Sequence, residues 1–302
     1  MAFRKPNLII AGVVKGGTTS VFSYLSVHPD ICVSSVKETC FFHGLRYGYD
    51  LQPFSDYLNY FRQCENQKYI LEATPGYFEG GARLARGLKD ALGEDIKVLL
   101  FLRDPVDRLI SFFKFKKSML EIPFDLPLGE YIGRCAEMGW EEKKSQPNDM
   151  WWGIEGGKYD LYLQEWFDVF GSKVKVLFFD QIKRDVRSLM IELCEWLEIS
   201  PDIYQDFVFE VENKTIGYKN RRLQEGALFV NRELERFWRA HPKLKSKLRD
   251  IYFRVNGRDH VNSVSHDLIE QLSDLYRPHN ARTREILESR NYANLPAWLE
   301  QS

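Results

Sequence analysis

The segment that most constrains this chain is Asn7 to Leu25, NLIIAGVVKGGTTSVFSYL. Leu8 to Val13 is a short apolar run ending in a glycine turn, the pattern of a strand buried on both faces. Thr19 to Val27 then carries Val21, Phe22 and Leu25 at helical spacing, and His28-Pro29 stops it. Strand, glycine turn and helix in that order leave bare backbone N–H groups at a helix N-terminus, and glycine lets the backbone approach an anion closely. Gly16 and Gly17 open the turn, Thr18, Thr19 and Ser20 add hydroxyls and amides, and Lys15 adds a positive charge. The segment reads as a phosphate site rather than a merely structural turn. It departs from the nucleotide P-loop GxxxxGK[ST]. With Gly12 and Gly17 on its two glycines, Thr18 stands at the lysine position and the lysine lies three places back, at Lys15.

Further strands are expected at Ile31–Ser35, Lys68–Pro75, Lys97–Pro105 and Lys173–Asp180, with amphipathic helices after the last two. Strands alternating with helices predict an α/β fold, a central parallel sheet with helices on both faces, in a single domain over residues 1–302. Residues 118–157 break the rhythm. They are polar, hold Pro123, Pro127 and Pro147, and read as a long irregular insertion, a binding loop or lid. Trp151 and Trp152 near its end would either wall an acceptor or pack in the core. Residues 212–254 are charge-rich and helical in pattern, and WRAHPKLKSKLR within them reads as a solvated helix face.

Composition narrows the function. The 42 basic and 43 acidic residues leave a net charge of −1, which gives no reason to expect nucleic-acid binding. No apolar segment approaches the ~20 residues of a membrane span. The first ten residues lack a signal-peptide core, so the expected location is cytoplasmic. Cys32, Cys40, Cys64, Cys135 and Cys194 are scattered without a CxxC pair, and all five are expected as reduced thiols. No carboxylate cluster offers a metal site.

A second anion site is suggested by FLRDPVDRLISFF. Arg103 stands at the carboxyl end of a buried strand, where open parallel sheets bind ligands, and Ser111 lies on the following helix. The alternative is an Arg103–Asp104 surface pair. KGGTTS together with LRDPVDRLIS resembles the PAPS-dependent sulfotransferase superfamily. VKETCFF (Val36–Phe42) is similar to the KExxFF segment of its heparan sulfate sulfotransferase branch, and LEATPGYF (Leu71–Phe78) to that branch's E-x-TP-x-YF segment. The likeness continues through residues 157–185 and 272–299.

The resemblance implies a P-loop-like sulfotransferase fold with PAPS as sulfuryl donor, PAP as product and no bound metal. It assigns Lys15, Gly16, Gly17, Thr18, Thr19 and Ser20 to the 5′-phosphosulfate, and Arg103 with Ser111 to the 3′-phosphate. Lys15 would stabilise the leaving phosphate and Glu38 would take the acceptor proton, with Lys37 beside it tuning Glu38 or stabilising the sulfuryl group. Cys40 stands where relatives often have histidine and His43 where they have aspartate, so His43 is a second candidate base. Glu72 would orient an acceptor or a lysine, or form a structural ion pair. Asn213–Arg222 would close over the nucleotide through Lys219 or Arg221. The Lys-Gly-Arg loop of the glycan branch has no clean copy here, and Asn256-Gly257-Arg258 is the nearest string.

The expected acceptor is a small molecule such as a natural product, with a glycan or glycolipid as the alternative. Acidic residues of the insertion, among them Glu121, Glu130 and Glu141, suggest a cationic one. Two readings from other classes compete: a P-loop kinase or NTPase, which the missing GK[ST] argues against, and a non-catalytic phosphate-binding module.

Overall fold

β1 (Leu8–Gly12) is buried along its whole length because it lies mid-sheet. In the computed structural model, which describes residues 4–210, 217–234, 238, 242–258 and 264–300, it pairs in parallel with two later strands. β2 (Ile31–Val33), β3 (Tyr69–Ala73), β4 (Lys97–Leu102) and β5 (Val174–Phe178) complete a five-stranded parallel sheet in the order β2-β3-β1-β4-β5. Each strand is shorter than its sequence signal, because pairing ends where the chain turns into the loops at the carboxyl edge.

Twelve helices are described, α1 (Thr18–Leu25), α2 (Phe54–Leu58), α3 (Gly81–Leu92), α4 (Pro105–Ser118), α5 (Leu128–Glu137), α6 (Trp140–Lys143), α7 (Asp160–Phe170), α8 (Phe179–Leu197), α9 (Arg221–Glu233), α10 (Pro242–Asn256), α11 (His266–Glu288) and α12 (Ala297–Glu300). The two-residue alternation of the strands sorts them into layers. Leu8, Ile10, Leu71, Leu99 and Phe101 face α1 and α8 through Val21, Leu25, Leu189 and Leu193. Ile9, Ala11, Ile70, Val98 and Leu100 face α3 and α7 through Leu84, Leu88, Leu163 and Trp166. A third cluster joins α4, α5 and α11 through Leu109, Phe113, Tyr131 and Tyr276.

Two expectations fail here. Cys32 and Cys64 are joined in a disulfide, while Cys40, Cys135 and Cys194 are free. The two bonded cysteines are 32 positions apart in sequence but their Cα atoms are 5.5 Å apart, because the chain after α2 returns beside β2. A bonded pair withdraws the thiol argument for a reducing compartment. Nor are residues 118–157 irregular. They form α5, α6 and short 3₁₀ turns, and Ile122, Leu126, Leu128, Tyr131 and Ile154 are buried in the third cluster. Its prolines open helices and turns instead of preventing them: Pro127 is the N-cap residue of α5 and Pro147 enters the 3₁₀ turn at Gln146–Trp151. Among the described residues, no helix is long and apolar enough to cross a membrane.

Candidate functional site

The phosphate loop is built by hydrogen bonds that leave no room for side chains. Val13 N–H donates to Phe101 O (3.3 Å) and Gly16 N–H to Val13 O (2.9 Å). A Cβ on Gly16 would lie 2.2 Å from Phe101 O. Gly17 is the N-cap of α1 at φ 88°, and a Cβ there would meet Ile182 and Phe179 side-chain carbons at 2.8 Å. α1 has no side-chain cap and no acidic residue in its first turn, so its N-terminal N–H groups and dipole are not opposed by the chain itself. Thr18 and Ser20 are buried beneath the turn, and Lys15, at φ 70°, is held in the left-handed region just ahead of it.

Arg103 brings the second anion motif to the first. From the end of β4 its Nη1 donates to Lys15 O at 3.3 Å across 88 residues of sequence. Its guanidinium lies 4.5 Å from the Phe179 ring centroid, Nη2 is 3.5 Å from Asp107 Oδ2, and its buried Nε has no partner among the described residues. The surface pair with Asp104 does not form. Asp104 instead caps α4, its Oδ1 accepting from the N–H of Val106 (2.9 Å) and Asp107 (3.0 Å). Ser111 is half-buried, farther along α4.

Lys15 Nζ lies 4.7 Å from the Phe115 ring centroid. Burial, reinforced by Arg103, lowers its pKa to about 8, while the Glu38 carboxylate works the other way. Lys15 is therefore charged at neutral pH and close enough to Glu38, Lys37 and Arg103 to feel all three.

Glu38 is anchored at the end of β3 by its N–H, which donates to Ala73 O at 2.9 Å, and it takes a left-handed φ of 65°. Its carboxylate accepts from Lys37 Nζ at 2.7 Å; Lys37 is 17% exposed and Glu38 52%. Cys40 reaches solvent, yet the protein around it and the carboxylates of Glu38 and Glu72 push its thiol up to about 12.

Glu72 corrects the ion-pair reading. It is fully buried, and no ion pair forms to it among the described residues. Its Oε1 accepts from Thr74 Oγ1 (2.5 Å) and Thr39 Oγ1 (3.1 Å), and Oε2 has no partner among the described residues. Burial raises its pKa to about 7.

His43 opens a 3₁₀ turn through Tyr47 and is half-buried, with Nε2 inaccessible and without a partner among the described residues. Burial and Arg46 lower its pKa, so the ring is biased to the neutral, proton-accepting form. Around it lies an ionic cluster that sequence reasoning did not find. Arg46, 3% exposed, pairs with Glu79 (2.7 Å) and Asp149 (3.3 Å) and lies 4.2 Å from the Trp152 ring centroid. Lys116 pairs with Asp149 (3.3 Å) and Glu121 (2.6 Å), and Tyr47 OH donates to Asp149 Oδ1 (3.0 Å). Arg108 is fully buried and donates to Gly153 O. Trp152 is thereby core, while Trp151 is half-buried and stacks on Tyr131. No local pattern marked this cluster, since Arg108 and Lys116 stand on α4 among other charged residues, Asp107, Lys114 and Lys117.

Comparison with known proteins decides what these loops belong to. Residues 5–255 match the sulfotransferase domain family. The chain belongs to that family. Heparan sulfate glucosamine 3-O-sulfotransferase 3A1 of Mus musculus is 27% identical over 287 residues, 92% of this chain and 61% of that protein. The membrane-associated sulfotransferase kil1 of Dictyostelium discoideum is 37% identical over 119 residues, 38% of this chain and 24% of that one. The chain thus spans less than two thirds of either relative. A crystal structure of a sulfotransferase from Alicyclobacillus acidocaldarius has the same fold, with TM-score 0.67 and 23% identity over 97% of this chain and 98% of that one. The α/β parallel-sheet architecture is the one expected.

The loop sought for nucleotide closure is only partly within the described residues, since residues 213–216 lie outside them. Gly217–Tyr218 (β6) pairs antiparallel with Gly257–Arg258 (β7), which brings together the two stretches that sequence analysis compared with the family's closing loop. Lys219 N–H donates to Asn256 O (2.8 Å), and the Arg221 side chain is held by Glu225 (2.9 Å). Three of the insertion's acidic residues are likewise engaged, Glu121 by Lys116, Glu130 by Arg134 and Glu141 by Lys144, which weakens the cationic-acceptor reading.

Proposed function

We propose that this sulfotransferase, taken as one domain over residues 1–302 with an insertion at 118–157, moves a sulfuryl group from PAPS to a hydroxyl or amine of a glycan or glycolipid acceptor. The observation that carries the donor assignment is the Arg103–Lys15 contact, which joins the two anion-binding motifs into one site. The Gly16 and Gly17 cradle and the orphaned Arg103 Nε fit a polyphosphorylated ligand. In this reading Lys15 to Ser20 hold the 5′ side, and Arg103 with Ser111 the 3′-phosphate. PAPS, when bound, supplies the sulfuryl group and departs as PAP.

The residues of the chain do the rest. Lys15, charged below about pH 8, supports the negative charge that grows on the leaving phosphate. Glu38 takes the proton from the acceptor as its oxygen or nitrogen bonds to sulfur, and Lys37 orients that carboxylate. The similarity to glycan sulfotransferases over most of the chain supports the acceptor class. The natural-product acceptor remains a second reading, favoured by Cys40 and His43 at positions where glycan-acting relatives often differ.

Calorimetric titration with 3′,5′-ADP and separately with ATP plus magnesium tests the donor. Metal-independent binding of 3′,5′-ADP is expected; magnesium-dependent binding of ATP alone would return the site to a kinase or NTPase. Glu38→Gln is expected to abolish turnover and keep 3′,5′-ADP binding. Retained turnover in Glu38→Gln with loss in His43→Ala would move the base to His43.

A further inference from the structure

α9 and α10 form a face that the sulfotransfer chemistry does not use. Of the exposed large apolar side chains among the described residues, seven lie on these two helices, Leu223, Phe229 and Val230 on α9 and Leu244, Leu248, Ile251 and Val255 on α10, and Leu234 follows α9 directly. The four on α10 are 43%, 44%, 56% and 64% exposed. Their spacing of four, three and four residues places them in one stripe along the helix. Tyr252 and Asn256, on another side of α10, hold it to the start of α9 instead: Tyr252 OH donates to Gln224, and Asn256 Nδ2 donates to Asn220 O (3.1 Å). Lys247 and Arg254 border the stripe by position on the helix.

Charge singles out the same region. Residues 221–256 contain ten Lys or Arg against four Asp or Glu, a net of +6 in a chain whose total is −1. The helices depart from and return to one root. β6 pairs with β7, Tyr218 packs on Phe124 (ring centroids 4.9 Å apart), and Gln224 Nε2 donates to Ser118 O (2.7 Å). Ser118 ends α4 three residues after Phe115, the ring beside Lys15 Nζ. The root of the two helices therefore lies near Lys15 of the candidate site.

We propose that α9 and α10 dock the sulfotransferase onto an anionic lipid bilayer, the apolar stripe entering the headgroup boundary and the flanking cations meeting anionic headgroups. Both properties are needed to choose this occupant. A second copy docked face to face would oppose two surfaces of net positive charge. A soluble polyanion would use the charge and leave the stripe in water. Docking there would set the site against the surface from which a glycolipid is presented.

The test is co-sedimentation of the full chain with phosphatidylcholine vesicles made with and without phosphatidylserine. Two double variants accompany it, Leu248→Asp with Ile251→Asp, and Lys247→Glu with Arg254→Glu. The wild type is expected to pellet with phosphatidylserine vesicles and stay soluble with phosphatidylcholine alone. Each double variant should lower the bound fraction by about tenfold or more, with melting temperature and 3′,5′-ADP affinity unchanged. Binding that both variants retain, or no binding to phosphatidylserine vesicles, overturns the proposal. So does a wild-type dimer that Leu248→Asp with Ile251→Asp converts to a monomer, which would make the face an interface between copies. Heparin-agarose retention that survives loss of the stripe, without vesicle binding, would make it a polyanion site. The vesicle, oligomer and heparin readouts do not depend on the donor or acceptor assignment.

Discussion

The two sides of the candidate site are made from opposite materials. On the donor side the work falls to backbone: Gly16 and Gly17 clear space, α1 offers uncapped N–H groups, and a few cations surround them. Around His43 it falls to buried charge: Arg46, Glu79, Arg108, Lys116 and Asp149 tie the 3₁₀ turn after Glu38, the helix α4 and the insertion into one cluster. A backbone cradle tolerates changes of side chain but not of glycine. An ionic cluster depends on every member, because each buried charge left unpaired is costly. The insertion is thus a part fastened by its own ion pairs, with Gly156 wedged where a Cβ would lie 2.7 Å from Glu79 Oε1.

The largest expected effect tests that fastening. Arg46→Met strands Glu79 and weakens the hold on Asp149, and should cost about 3–5 kcal/mol of stability in chemical unfolding. Limited proteolysis should cut residues 118–157 faster in this variant and at the wild-type rate in Lys15→Ala. Equal resistance in both would mean the cluster does not hold the insertion. Adding Glu79→Leu to Arg46→Met should recover part of the loss.

Lys15→Ala should lower turnover by about a hundredfold or more, as removal of a charge stabiliser does, with little change in melting temperature. Unchanged turnover would take Lys15 out of the chemistry and leave the donor side a binding cradle only.

Glu72 sharpens the comparison, because it is a buried acid next to the donor side with hydroxyls rather than cations for partners. Its pKa rises from 4.5 to about 7 on folding. Between those values the folded state binds more protons than the unfolded one, so its contribution to stability is largest at low pH and falls as pH rises through 7. Glu72→Gln should therefore gain on the wild type between pH 5 and pH 8, by on the order of 3 kcal/mol. A constant difference in stability across that range would mean Glu72 is charged throughout.

The smallest effect is the proton linkage of donor binding. Lys15 loses its charge in the free protein above about pH 8, and an anion restores it. Affinity for 3′,5′-ADP should then fall above that pH by up to about tenfold per unit, with proton uptake on binding. A flat profile to pH 10 would mean that Lys15 does not meet the nucleotide phosphates.

Much of this protein was legible in its sequence, and the reason is locality. A buried strand, a glycine turn, a helix N-terminus and an apolar helical face are each written within a dozen residues. That was enough for the parallel α/β sheet, the glycine turn between β1 and α1 and the placing of Arg103 at a strand end. What the sequence did not reveal depends on residues that meet only after folding. Cys32 finds Cys64 because β2 lies beside the chain that follows α2. Arg46 finds Glu79 and Asp149 from three separate segments, which turns a stretch that looked irregular into an anchored one. Glu72 gains its raised pKa from a fully enclosed strand end, which outweighs the opposing pull of two threonine hydroxyls, one of them from a different segment. Local pattern sets which elements form; burial and long-range pairing, which no window of sequence contains, decide the charge state and the company of the residues between them.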